Sequence, residues 1–181
     1  MSNLDLDICY LSASEALEKF KNKSLSPVEL LTETIKRIEE VNPKINAFNF
    51  FRFEDALEEA KNSESKYSKG EVSLPLEGIP LAIKDEVNIT GQPNKNGSLI
   101  FKDVIAESTD VDVESLVNSG AILHARTTNP EFSLTSFCHS KVNGVTRNPW
   151  DLEMTPGGSS GGSAAALAAG CTTLATGSDI G

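Results

Sequence analysis

The sequence predicts an α/β fold, with helices layered against a sheet that contains parallel strands. Two observations carry that expectation. From Leu74 onward, short apolar runs that read as strands alternate with runs that read as helices: residues 78–85, then 111–119, then 121–125. The order repeats further on, where an alanine-rich helix former over residues 164–170 precedes an apolar run over 172–176. Strand–helix–strand alternation favours helices packed on a sheet with parallel neighbours. With 181 residues, 39% of them hydrophobic and 23% charged, the chain has the composition of an ordinary globular domain with room for a core.

The first 70 residues read as a helical segment that packs on an α/β core spanning residues 71–181. Ser12-x-x-Glu15 is a capping box, and Ala16, Leu17 and Phe20 follow on one face. Ser26-Pro27-Val28-Glu29 repeats the device with proline at the first helical position. Behind it Leu31, Ile35 and Ile38 recur at steps of four and three, which predicts an amphipathic helix to about Glu40 stopped by Asn42-Pro43. A third helix is expected from Phe53 to about Lys66. In the core, Gly78-Ile79-Pro80-Leu81-Ala82-Ile83-Lys84-Asp85 is a buried strand ending in charge, followed by a Gly/Asn-rich loop over 91–98. Residues 111–119 form a short helix closed by Gly120, residues 121–125 the next strand, and residues 144–151 a loop. A glycine-rich turn then leads into the alanine helix, which starts at Ser163, and a last strand covers 172–176.

Charge and cysteine content narrow the function classes. A formal net charge of −10 disfavours nucleic acid or an anionic membrane as a partner. Cys9, Cys138 and Cys171 are far apart and lack metal-ligand spacing, so reduced thiols and a cytoplasmic location are expected. No secretion signal or apolar membrane-length run is read, and Asn88-Ile89-Thr90 and Asn96-Gly97-Ser98 match the glycosylation pattern by chance.

The run Thr155-Pro156-Gly157-Gly158-Ser159-Ser160-Gly161-Gly162-Ser163 is the centre of the functional reading. Glycines around paired serines let the backbone approach a ligand closely. At a helix N-terminus they present hydroxyls and N–H groups to developing negative charge. A phosphate-binding P-loop needs a lysine before its closing Ser/Thr, and none is here. Gly158-Ser159-Ser160-Gly161-Gly162 contains the G-x-S-x-G string, but Thr155-Pro156 stands where a strand should, and His124 and His139 both precede the loop. Serine chemistry without histidine needs another base, and a lysine serves when burial or neighbouring cations favour its neutral form. Lys84, at the end of an apolar strand, is the candidate.

These segments, with Thr146-Arg147-Asn148-Pro149-Trp150-Asp151 and Gly177-Ser178-Asp179-Ile180-Gly181, resemble the amidase signature family. The resemblance covers residues 74–181 well and the N-terminal helices more loosely. It implies α/β/α layers around a mixed sheet, incomplete here, and a Ser-Ser-Lys triad that cleaves carbon–nitrogen bonds of carboxylic amides through an acyl-serine. It implies no metal and no organic cofactor.

Carried over by motif, the resemblance makes Lys84 the general base and Ser159 the bridging serine, on a cis peptide bond. Ile180 and Gly181 begin the oxyanion segment, and Ser133 falls where some members contact substrate. Gly157, Gly158, Ser160, Ser178 and Asp179 support the loop, with Asp179 hydrogen-bonding the turn. The nucleophilic serine belongs two positions beyond Gly181. The chain is therefore read as an N-terminal part, inactive alone, of a small-molecule amidase that is compatible with a homodimer. The alternatives are the glutamine-hydrolysing subunit of a tRNA-dependent amidotransferase and a truncated, non-catalytic binding protein. Around the site, Trp150 is expected to be buried packing, His124 a satisfied core histidine, and Cys138–His139 a neighbour pair without catalytic geometry. Ion pairing by Asp85 or Glu86 would favour the protonated lysine, so both side chains are expected to point away from Lys84.

Overall fold

The computed structural model describes residues 6–72 and 74–179. The chain opens with helices α1 (Leu6–Cys9), α2 (Ala13–Lys21) and α3 (Pro27–Ile45). Both expected capping boxes form: Ser12 and Ser26 accept from the N–H groups of Glu15 and Glu29, whose carboxylates bond back to the serine N–H groups. Pro43 does not stop α3 as expected. It sits in the last turn, where one lost backbone bond is tolerated, and the helix ends at Asn46 in the left-handed conformation. Asn42 Oδ1 then takes the N–H groups of Ala47 and Phe48, steering the chain into an edge strand that helical periodicity does not announce. That strand is β1 (Phe48–Phe51), followed by α4 (Phe53–Lys69), which runs a turn longer than expected to Gly70.

The sheet is completed by β2 (Pro80–Lys84) and β3 (Ile122–Thr127), with α5 (Val111–Asn118) between them. A two-stranded ribbon of β4 (His139–Ser140) and β5 (Gly144–Val145) lies apart from it. Helix α6 (Gly161–Ala168) then leads to β6 (Leu174–Ala175). Strand order is β1-β3-β2-β6, with β1 antiparallel to β3 and β2 parallel to both β3 and β6. The sheet is mixed, and its parallel centre is the one the strand–helix–strand order implies.

Alternation along β2 sorts the core into layers. Ala82, with Ala125 and Phe48, faces α3 and α6 through Ile38, Ile45, Ala165 and Ala166. Leu81 and Ile83, with Leu123, face α5 through Val113. The small residues on the first side let the alanine face of α6 lie close to the sheet. Helix α6 begins at Gly161, two residues earlier than expected, because Gly161 and Gly162 are buried against Cys138 and Thr128 and tertiary contact replaces helix propensity. Register slips in both pairs of β3: Leu81 and Ala82 face Leu123 and Ala125, leaving His124 as the extra residue, and Asn49 is skipped likewise in β1.

Candidate active site

The site forms at the C-terminal ends of the parallel strands, where open α/β sheets place their ligands. β2 delivers Lys84 there, and its backbone N–H donates to Thr176 Oγ1 (2.9 Å), fixing the strand end against the segment after β6. The side chain is 1% exposed, and its ammonium meets three oxygens. Nζ donates to Ser159 Oγ and to Ser178 Oγ, each at 2.7 Å, and lies 3.0 Å from Glu86 Oε2.

Ser159 arrives on the glycine loop. Gly157 has φ +88°, the Gly158–Ser159 peptide is cis, and Gly158 lies so close to the 135–137 backbone that a Cβ would sit 2.7 Å from Phe137 N. The loop is tied to the sheet at its far end. Gly162 N–H donates to Thr128 O (3.2 Å), and the hydroxyls of Ser163 and Thr127 lie 2.7 Å apart. Ser160 faces away from Lys84 and brackets Ser178: its Oγ accepts from Ser178 N–H (3.1 Å) and donates to Ser178 O (3.3 Å). Two serine segments distant in sequence are thus locked together at one lysine.

The expectation that both acids beside Lys84 point away is half corrected. Asp85 does turn away, to Asn49 Nδ2 (2.6 Å) and to Arg126 Nη2 (3.5 Å). Glu86 pairs with Lys84 instead. Glu86 lies in the turn that follows β2, closed by Val87 N–H to Lys84 O (3.5 Å), so the periodicity of the strand gave no signal for it. Burial opposes charge on both acids. For Asp85 it prevails and pushes the carboxyl up despite Arg126, Asn49 and Lys95. For Glu86, bonds from Ser133, Ser178 and Lys84 outweigh it and hold the carboxyl below the usual range.

Ser133 lies beside the site, and its hydroxyl donates to Glu86 Oε2 (2.5 Å) while accepting from Asn129 Nδ2 (3.0 Å). Arg126, fully buried, carries no signal in the sequence. It donates to the carbonyls of Pro93 (3.0 Å) and Val87 (2.5 Å) and so ties the Gly/Asn loop to the chain that precedes it. Nothing short of the tertiary fold marks an arginine in an apolar strand as a loop clamp.

The remaining expected positions divide. Ile180 and Gly181 lie outside the described residues. Asp179 is exposed at the end of the Ser178 segment. Trp150, expected to be buried, is 84% exposed: its N–H caps on Asn148 Oδ1 in a tight turn that projects the indole outward. His124 is fully buried, with Nε2 3.0 Å from Thr172 Oγ1, but Nδ1 has no partner, so the histidine is only half satisfied. His139 stacks on Phe137 rather than engaging Cys138. Among the described residues no group of three or more His, Cys, Asp or Glu could hold a metal ion, and no helix is long and apolar enough to cross a membrane.

A buried lysine bridges two serine segments at the ends of the parallel strands of an α/β fold. The chain belongs to the amidase signature family: the Amidase family model matches residues 29–181. It is 43% identical over 171 residues to a glutamyl-tRNA(Gln) amidotransferase subunit from Methylacidiphilum infernorum, covering 94% of this chain and 33% of that protein. Identity to the indoleacetamide hydrolase of Bradyrhizobium diazoefficiens is 39% over 170 residues, covering 94% and 32%. Among solved structures, a bacterial aryl acylamidase of the amidase signature enzymes superposes with a TM-score of 0.85 at 30% identity, covering 92% of this chain and 35% of that one. The chain spans about a third of the length of these relatives.

Proposed function

We propose that this chain carries the base and the bridging serine of an amide hydrolase whose nucleophilic serine lies in sequence following Gly181. The 2.7 Å contact between Lys84 Nζ and Ser159 Oγ carries the reading. It joins the buried candidate base to the serine loop through a single proton-transfer distance. In the full-length enzyme, neutral Lys84 takes the proton of Ser159 as Ser159 takes that of the nucleophile. The nucleophile's oxygen bonds the amide carbonyl carbon, and the carbonyl π electrons move onto oxygen, where backbone N–H groups from Ile180 and Gly181 onward hold them. Collapse breaks the carbon–nitrogen bond as the proton returns through Ser159 to the departing amine. Water then releases the acid from the acyl-serine.

Gly157 and Gly158 supply the close backbone approach, and Ser160, Ser178 and Asp179 hold the loop beside the oxyanion segment. We assign residues 1–70 as the segment that packs on this core and residues 71–181 as the first part of the catalytic core. Reduced, buried thiols at Cys138 and Cys171 support a cytoplasmic setting, and the full-length enzyme is proposed to act on a small amide, as a homodimer. A second reading is favoured by the 43% identity to an amidotransferase subunit: the same site would release ammonia from glutamine beside a partner chain.

The test is Lys84→Ala in the full-length enzyme. Amide turnover should fall by about 10²–10⁴-fold with an unchanged circular dichroism spectrum, and retained turnover would remove Lys84 as the base. Glutamine hydrolysis that appears only with a partner chain would select the second reading.

A further inference from the structure

The mechanism above leaves one charged group at the site without a task. Glu86 Oε2 lies 3.0 Å from Lys84 Nζ and accepts from Ser133 Oγ. Its side chain is 19% exposed, against 1% for Lys84, so the carboxylate is the less buried partner of the pair. The third proton of the ammonium is directed to it, the other two going to Ser159 and Ser178.

The chain does unusual things to hold this carboxylate. Phe132 and Ser133 are consecutive non-glycine residues at φ +53° and +55°, a conformation that costs backbone energy wherever it occurs. Three bonds enforce it: Phe132 N–H to Asn96 O (2.9 Å), Ser133 N–H to Pro130 O (3.0 Å), and Ser98 Oγ to Glu131 Oε1 (2.8 Å). Gly97 makes the interlock feasible, since a Cβ there would lie 2.4 Å from Pro130 O. The outcome is a Ser133 hydroxyl aimed at Glu86, with fully buried Asn129 donating behind it.

We propose that Glu86, held by Ser133, is a positioning residue for Lys84: the resident counter-ion that keeps Nζ between Ser159 and Ser178, so that the pH dependence of turnover responds to its charge. The assignment rests on the proposed role of Lys84 as base, and it gives Ser133 a task other than touching substrate. Other charged groups around the pair are engaged elsewhere. Asp85 faces Arg126 and Asn49, with Lys95 nearby; Arg126 also feels Asp110; Glu131 takes the Ser98 hydroxyl. Asp179 follows Ser178 on the exposed side of the segment after β6.

The experiment is a pH–rate profile of the full-length enzyme with Glu86→Gln, which keeps shape and an acceptor but removes charge. The acid limb of kcat/KM should move to lower pH by about one unit, the lower end of what an opposite charge at this distance exerts, with the change in kcat rather than KM. Glu86→Asp, which draws the charge back by one methylene, should move the limb the same way but less, and it decides the matter if the glutamine variant does not fold. Profiles that superimpose on wild type, or changes confined to KM, would overturn the assignment. Lys84→Ala run alongside separates the two proposals. Turnover surviving that change removes the base itself, whereas its loss with unmoved Glu86 profiles removes only the counter-ion.

Discussion

At Gly162 the smallest side chain decides whether the serine loop can form. A Cβ there would sit 2.4 Å from Thr128 O and 2.5 Å from Thr128 N, both backbone atoms that cannot swing aside. Gly162→Ala should therefore lower stability by about 1–3 kcal/mol or more, seen as a fall in Tm, and should loosen the bond from Gly162 N–H to Thr128. A Tm within a degree of wild type would mean that the loop relaxes without cost. Residue identity was legible wherever a motif carried it: the strand end points to Lys84, the family resemblance to Ser159, and the two meet. It was not legible for Glu86, which lies in the turn after β2, nor for Trp150, whose exposure depends on the turn closed by Asn148.

Among the elements, the two helices with capping boxes were the most readable because their signals are local. The Ser26 box starts α3, which contributes Leu30, Leu31 and Ile38 to three separate parts of the core. Ser26→Ala removes the side-chain acceptor for Glu29 N–H and should cost about 1 kcal/mol, read as a lower urea midpoint with an unchanged slope. No change would show that Pro27 and packing start the helix unaided. Local signals failed where contact overrode them. Pro43 ends nothing because its missing N–H falls in the last turn, β1 is four residues at an edge, and α6 starts on glycines held by Thr128 and Cys138.

For the molecule as a whole, the buried His124 links stability to pH. Burial in β3 pushes its imidazole down to about 3. In the unfolded chain it titrates near 6.5, so between these values the unfolded state binds the extra proton and stability falls as pH falls. The loss is at most about 1.4 kcal/mol per unit. Denaturant unfolding at pH 7 and pH 5 should therefore show His124→Gln losing less stability than wild type, by up to about 2 kcal/mol. Asp85, whose carboxyl is raised by burial, acts with the opposite sign, and comparing variant with wild type cancels it. Equal losses in both proteins would mean that His124 becomes solvated before the chain unfolds.

Taken by itself, the sequence determined the α/β class, the capped helices, and a glycine-flanked serine loop downstream of a strand-end lysine. Each follows from periodicity, capping chemistry or backbone freedom, which act over a few residues. Only the tertiary structure decided what surrounds that lysine. Ser159 and Ser178 reach it from segments 75 and 94 residues away, and Glu86 is held in place by Ser133, 47 residues on. Such contacts depend on strand order, register and the bulges at Asn49 and His124, and these are settled by how the whole chain packs.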